Sequence, residues 1–360
     1  MKILIIGLCN EMGGTENYIY NLLKKIKLTL FYFDFLIVDD GKKTPYEDEI
    51  NKLFNDDNNH FYYCPNLKRH YITGSRWLKN FYDKKAYDLI YMNATTAAKT
   101  AYCRYAIDIL RTPIVTHSHR SEGKIINHIL YKPYTIKHSI YKLACSKNAA
   151  NWMFKKNDPN VVIIPNGIDT DIFRFNLMQR NIIRKEYNIS DEQIIIGHVG
   201  RFSKEKNHLF FIILSKMLDD KYIFMCIGDG PLKKHFISNI KEQGLENRFK
   251  IISTRKDVYR FYSAMDIFVM PSYNEGLPIV SVEAQCAGLK PIFSDTISKE
   301  TNISGFCKYL PLSMPDKWIQ TIKNMDIKRF DGVDVIKKKG FDMADTALKV
   351  EKLFQKINNN

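Results

Sequence analysis

The feature that most limits what this chain can fold into is its rhythm. Short apolar runs at 2–7, 31–40, 60–65, 87–93, 113–119 and 142–146 alternate with helical patterns at 15–27, 46–55, 73–84 and 95–111. Strands alternating with amphipathic helices are the rhythm of βαβ units, so the pattern predicts a mostly parallel sheet wrapped by helices. The rhythm then restarts, with strands at 193–200, 221–228, 248–253, 266–271 and 290–295 and helices at 208–218, 231–244, 256–265 and 279–288. A strand and turn-rich connector, VVIIPNGIDTDIF (161–173), lies between the halves, and an amphipathic helix occupies 341–357. A chain of 360 residues exceeds what one core fills. The expectation is an α/β protein of two doubly wound, Rossmann-like domains facing a cleft. The first spans 1–163 and about 341–360, the second 164–340.

Composition narrows the class. No run approaches the roughly 18 apolar residues of a membrane span. The opening MKILIIGLCNEMGG reads as a first β-strand and a glycine turn rather than a signal peptide, which implies a cytoplasmic protein. Its seven cysteines, at 9, 64, 103, 145, 226, 286 and 307, form no CxxC pair and sit mostly in apolar settings. They fit buried small hydrophobes better than a disulfide frame or a zinc site. The net charge of +15 is concentrated. Residues 66–156 carry 17 Lys and Arg against four acids, a net of +13, with Tyr, Trp and Phe interleaved. Such a surface suits an anionic membrane face or an acidic acceptor, or is a solvated lysine-rich face. No zinc-finger, RRM or helix-turn-helix grammar supports nucleic acid.

The chemistry-bearing residues fall where strands end. NEGLPIVSVEAQCAGLKP (274–291) follows the run DIFVMP, so Glu275 lies in a loop at a strand's C-terminal end and Glu283 inside the following helix. That helix is expected to start near Pro278 and stop at Gly288. Two carboxylates in an apolar stretch need partners or a polar ligand. GHVGRFSKEKNH (197–208) sets Arg201 and Lys206 beside Gly200 in the equivalent loop of another strand, where two cations can clamp a diphosphate. GDGP (228–231) allows a tight turn at Gly228 and Gly230. In the first half, Gly13 and Gly14 follow strand one and admit close backbone approach, with Thr15 or Glu16 available as a helix cap. His117 and His119 of THSHR end a strand.

These stretches together, GGTE (13–16), HSH (117–119), ACSKNAANWMF (144–154), IPNGID (164–169), GHVGRFSKEKNH, GDGPL and EGLPIVSVEAQCAGL, resemble the retaining glycosyltransferases of family 4 with the GT-B fold. More narrowly, the chain is similar to bacterial capsular and exopolysaccharide glycosyltransferases, from its first strand to about residue 300. The resemblance implies that Glu283 bonds the ribose of a nucleotide and that Glu275 sits near the donor sugar. It implies that Arg201 and Lys206 neutralise a leaving diphosphate, with amides of Gly276, Leu277 and Gly14 completing the cradle. His117 would lie at the sugar, and the Gly228–Gly230 loop at the base. The implied activity is sugar transfer, of hexosyltransferase type, from a nucleotide-diphosphate sugar, commonly UDP-linked, without a metal cofactor. The implied acceptor is a growing, lipid-linked cell-surface glycan at the inner face of the plasma membrane.

Rival readings are a GT-B-fold sugar-nucleotide epimerase, an NAD-dependent dehydrogenase and a non-enzymatic basic binding protein. The dehydrogenase is disfavoured because neither first loop carries GxGxxG with an acidic residue about 20 positions on. Asp169-Thr170-Asp171 spells the DxD of a metal site, but it falls in the connector and is assigned no metal.

Overall fold

The structure is a computed structural model that describes residues 1–10, 13–38, 41–54, 58, 60–121 and 126–359. It divides into two units, residues 1–167 with 341–360 and residues 168–340. The sequence positions 11, 12, 39, 40 and 122–125, parts of the expected first loop, second strand and basic segment, lie outside the described residues.

Unit 1 runs β1 (Lys2–Ile6), α1 (Gly14–Lys25), β2 (Tyr32–Ile37), α2 (Glu47–Phe54), β3 (Phe61–Tyr63), α3 (Tyr71–Lys84) and β4 (Leu89–Ala94). It continues with α4 (Arg104–Asp108), β5 (Ile114–Ser118), α5 (Ile126–His138), β6 (Ser139–Ala144), α6 (Lys147–Met153) and β7 (Val161–Ile163). The seven strands are parallel in the order β3-β2-β1-β4-β5-β6-β7. Right-handed crossovers put α1 and α2 on one face, and the reversal after β3 puts α3 to α6 on the other.

Unit 2 runs α7 (Thr170–Phe173), α8 (Leu177–Glu186), β8 (Ile194–Val199), α9 (Leu209–Met217), β9 (Tyr222–Ile227), α10 (Lys233–Glu242) and β10 (Phe249–Ile252). Then come α11 (Tyr259–Ala264), β11 (Ile267–Met270), α12 (Ile279–Cys286), β12 (Ile292–Ser294), β13 (Lys308–Leu310), α13 (Pro315–Lys323) and α14 (Gly332–Lys338). Its six parallel strands are ordered β10-β9-β8-β11-β12-β13. The last helix, α15 (Met343–Asn358), belongs to unit 1: Met343, Ala347, Val350 and Phe354 are buried with Ile19, Leu22 and Leu23 of α1.

Each strand's C-terminal end feeds a loop and a helix N-terminus. Each sheet also has a point where successive crossovers leave in opposite directions, between β1 and β4 in unit 1 and between β8 and β11 in unit 2. At such a switch point the loops diverge and leave room for a ligand. Unit 2 places the loops bearing Lys206 and Glu275 there. Among the described residues no helix is long and apolar enough to cross a membrane.

The α12 helix starts where expected, with Pro278 as its N-cap at ψ 132. The expectation of a side-chain cap on α1 is corrected. The N-cap of α1 is Gly13, and no side chain caps it. Glu16 turns back instead, its Oε1 accepting from the Cys9 amide at 3.1 Å. The DxD of the connector serves locally: the Asp169 carboxylate caps α7 and Asp171 pairs with Arg174 and Lys337.

Candidate active site

The loops after β8 and β9 are built into each other. The Gly200 amide donates to Ile227 O at 3.0 Å, the Phe202 amide to Asp229 O at 2.9 Å and the Leu232 amide to Phe202 O at 3.0 Å. Gly228 and Gly230 have φ of 151 and 154, and a Cβ on them would stand 2.1 Å from Gly200 O and 2.6 Å from Phe202 O. Glycine is therefore demanded at both positions by backbone packed on backbone. Asp229 ties the turn down, accepting from the Thr254 amide at 2.7 Å and from Lys233 at 2.7 Å.

Across the switch point, Lys206 Nζ lies 2.5 Å from Glu275 Oε1, each side chain 17 % exposed. The two loops that carry them are fastened together. The Tyr273 amide donates to Glu205 O at 2.8 Å and Asn207 Nδ2 to Pro271 O at 3.1 Å. Glu275 is held from its far side, where its carbonyl accepts from the Ser298 amide at 3.0 Å. Arg201 is exposed in the same loop as Lys206. Its charge, after the Ser203 hydroxyl, helps hold the Glu205 carboxyl below its usual range.

In the same unit lie polar atoms with no hydrogen-bond partner among the described residues. They are His198 Nε2, both ring nitrogens of His208 and Ser272 Oγ, all on buried residues. His198 Nδ1 meets the Val269 carbonyl at 2.9 Å and so must carry the proton, which leaves Nε2 as an acceptor. That nitrogen would be 2.9 Å from a Cβ on Gly200. Burial holds the His198 imidazole neutral, with its pKa lowered to about 3.

Glu283 sits in the middle of α12 and is 6 % exposed. Its Oε2 accepts from the Tyr262 hydroxyl at 2.7 Å. Burial raises its carboxyl to about 7, and the Tyr262 hydrogen bond opposes that rise. Before it, Gly276 and Leu277 are half-buried, and no side chain caps the α12 N-terminus. Its amides thus retain the partial positive charge that attracts anions. The C-terminal end is closed by Arg329, whose Nη2 donates to the carbonyls of Tyr262 (3.0 Å), Ser263 (2.9 Å) and Met265 (2.5 Å). Its Nη1 donates to Ala287 O at 2.5 Å. One buried guanidinium therefore fixes α11 against α12. Tyr262 and Arg329 carry no motif signal of their own, and the sequence reading passed over both. The tyrosine's place one helical turn before Asp266, at the foot of β11, was the available hint.

In unit 1, His117 is fully buried. Its Nδ1 is 2.7 Å from the Tyr91 hydroxyl and its Nε2 3.2 Å from Ile164 O. The carbonyl can only accept, so Nε2 donates and Nδ1 accepts from Tyr91, which leaves no ring nitrogen for a ligand. His119 is half-buried between Asn93 Oδ1 (2.9 Å) and Asn166 Oδ1 (2.8 Å). Gly13 and Gly14 open α1, and a Cβ on Gly14 would meet no atom within 4 Å. Gly7 has φ 144, and its Cβ would lie 2.3 Å from Asn93 O, the same backbone packing that Gly228 uses in unit 2.

Comparison with known proteins gives the family of the chain. The profile "Glycosyltransferase Family 4" matches residues 12–172, and "Glycosyl transferases group 1" matches residues 179–310. The chain belongs to the family 4 glycosyltransferases. This glycosyltransferase is 29 % identical over 327 residues to EpsF of Bacillus subtilis, which carries a provisional glycosyltransferase name, covering 86 % of this chain and 84 % of that one. It is 27 % identical over 320 residues to the UDP-Gal:alpha-D-GlcNAc-diphosphoundecaprenol alpha-1,3-galactosyltransferase of Escherichia coli, covering 82 % and 79 %. Its fold is that of the crystal structure of Anabaena HepE in complex with UDP-glucose, with TM-score 0.79 at 17 % identity, covering 99 % of this chain and 100 % of that one. The enzyme is thus a GT-B glycosyltransferase with relatives in polysaccharide assembly.

Proposed function

We propose that this glycosyltransferase moves a sugar from a UDP-linked donor to a growing, lipid-linked cell-surface glycan, with retention of configuration. The observation that carries the reading is the pairing of Lys206 with Glu275 at the unit 2 switch point, with Glu283 beside it in α12. Lys206 and Arg201 take up the charge of the diphosphate, assisted by the amides of Gly276 and Leu277 and by the α12 N-terminus. When Lys206 turns to the phosphates, Glu275 is released to accept from hydroxyls of the donor sugar. Glu283 accepts from the ribose, and Gly200, Gly228 and Gly230 keep the loops beneath the nucleotide flush. Unit 1 binds the acceptor, and Gly13 and Gly14 leave its first loop open to close approach. His117 acts there by holding Tyr91 and the 164 carbonyl rather than by touching the sugar.

In the transfer step the bond from the anomeric carbon to the phosphate oxygen breaks as the acceptor oxygen bonds to the same face. The acceptor's proton passes to the leaving phosphate. Two cations and a helix N-terminus supply the charge, so transfer is expected to persist in EDTA.

The names of the two relatives that mention UDP and a diphosphoundecaprenol acceptor support the substrate classes. The exposed side of α5 supports contact with an anionic membrane. Ile126, Ile129 and Leu130 are 77, 68 and 68 % exposed there, with Lys137 on the same stripe. Association with anionic vesicles should fall when the three apolar residues become serine.

The test of the donor reading is thermal stability with UDP, GDP, NAD or no ligand. A ligand at 100 times its Kd adds about 2.7 kcal/mol. A shift with UDP that Glu283→Ala abolishes supports the reading, and a shift with NAD alone would overturn it.

A further inference from the structure

Glu283 is the carboxylate assigned to the ribose, yet a buried carboxyl on a helix is poorly suited to that task unless something fixes its rotamer and keeps it ionised. Its Oε2 accepts from Tyr262, while Oε1 has no hydrogen-bond partner among the described residues. Tyr262 itself cannot swing. It is fully buried, with its ring edge-on to Phe173 at 5.9 Å and tilted against Phe268 at 5.9 Å. Its carbonyl is held by Arg329.

We propose that Tyr262 is a positioning residue for the ribose diol, acting through Glu283. The inference rests on the donor reading above. A phenol has one proton to give, and Tyr262 gives it to Oε2. That fixes the carboxylate plane and leaves Oε1, with the second lone pair of Oε2, for two neighbouring hydroxyls. A carboxylate accepts from both hydroxyls of a diol only when ionised, and the phenol favours that form in a site where burial opposes it. Other charges near α12 are directed elsewhere. Lys337 of α14 and Asp171 of α7 face each other at 3.8 Å, Asp169 caps α7, and Arg329 is spent on backbone carbonyls. The ligand class recognised here is therefore a ribonucleoside diphosphate, whatever its base.

The experiment is titration calorimetry of the full chain with UDP and with 2′,3′-dideoxy-UDP between pH 6 and 9, comparing wild type with Tyr262→Phe, which keeps the ring and removes the hydroxyl. At pH 7 the variant should bind UDP about tenfold more weakly. The deficit should shrink toward pH 9, because the unassisted carboxyl holds its proton to higher pH. For dideoxy-UDP the two proteins should agree within twofold, and Tyr262→Phe should add nothing in a Glu283→Gln background. Equal weakening of UDP and dideoxy-UDP would reduce Tyr262 to a structural role and overturn the proposal. So would equal UDP binding by variant and wild type. Failure of wild type to bind either UDP or GDP would instead overturn the donor reading on which it stands.

Discussion

The two units share one wiring scheme and differ in how their polar groups are satisfied. In both, a parallel sheet switches direction beside its first strand, and a glycine at that strand's neighbourhood packs backbone on backbone. At the strand ends of unit 1, His117 has both ring nitrogens engaged, His119 lies between two asparagines, and Lys99 donates to Gly7 O at 2.9 Å. Among the described residues, the corresponding edge of unit 2 holds a cation paired with Glu275, a carboxylate with one oxygen unpartnered, and the partnerless atoms of His198, His208 and Ser272. Saturated polar groups hold a fold, whereas unsaturated ones at a switch point await a ligand. On the donor reading proposed above, the contrast at these particular strand ends favours unit 2 as the seat of the chemistry, although unit 1 has unpartnered buried atoms of its own elsewhere, at Asp34 and Thr44.

The largest expected effect tests what the units have in common. Gly7→Ala and Gly228→Ala should each cost about 4 kcal/mol of stability, read from urea midpoints, since each forces a Cβ into a carbonyl oxygen at 2.3 or 2.1 Å. A small cost at either would show that its glycine serves the ligand instead. Next, Lys206→Ala should slow sugar transfer roughly 100- to 1,000-fold, as loss of a group facing developing charge does. Transfer within a few-fold of wild type would break the contrast between the units.

Glu283→Gln tests the unsaturated side through stability. The carboxyl's folded pKa, about 7, lies above the ordinary 4.5, so the folded state keeps a proton that the unfolded chain has released between those values. The stability this group contributes is complete below pH 4.5 and is lost as pH rises through 7. Glutamine removes that dependence. The variant should be more stable than wild type by about 3 kcal/mol at pH 8 and no more stable at pH 4. A difference independent of pH would show that the carboxyl is not strained by burial. The smallest effect belongs to unit 1. His117→Phe should cost about 2 kcal/mol by removing the imidazole from the Ile164 carbonyl and one of the two partners of the Tyr91 hydroxyl, which keeps Tyr18, while UDP affinity measured by calorimetry stays within twofold.

The rhythm of the sequence exposed most of the sheet because buried parallel strands read as unbroken apolar runs, as KYIFMCIG and QIIIGHVG do. It failed where that signal is diluted. Strand β13 is three residues long with an exposed lysine at its head, and α5 is a helix with Pro133 inside it, so HILYKPYTIKHSIYK reads as a basic patch. Strand β6 begins at Ser139, directly after that helix, rather than at Lys142. In the site, residues on glycine-punctuated loops were legible because few other sequences make such turns. Tyr262 and Arg329 were not, since a tyrosine in a short helix and an arginine in a loop gain meaning only from the groups that folding brings to them. His117 shows the converse, a motif residue whose partners Tyr91 and Ile164 lie 26 and 47 positions away.

The path of α15 bears on how the protein is made. Its apolar face completes the core over α1, yet it is synthesised after the whole of unit 2. On a ribosome, residues 168–340 emerge as an uninterrupted stretch with every strand of their sheet in hand. The core of the first-made unit is therefore completed only by a segment translated after residues 168–340, and until that segment is available one flank of the core lacks its cover.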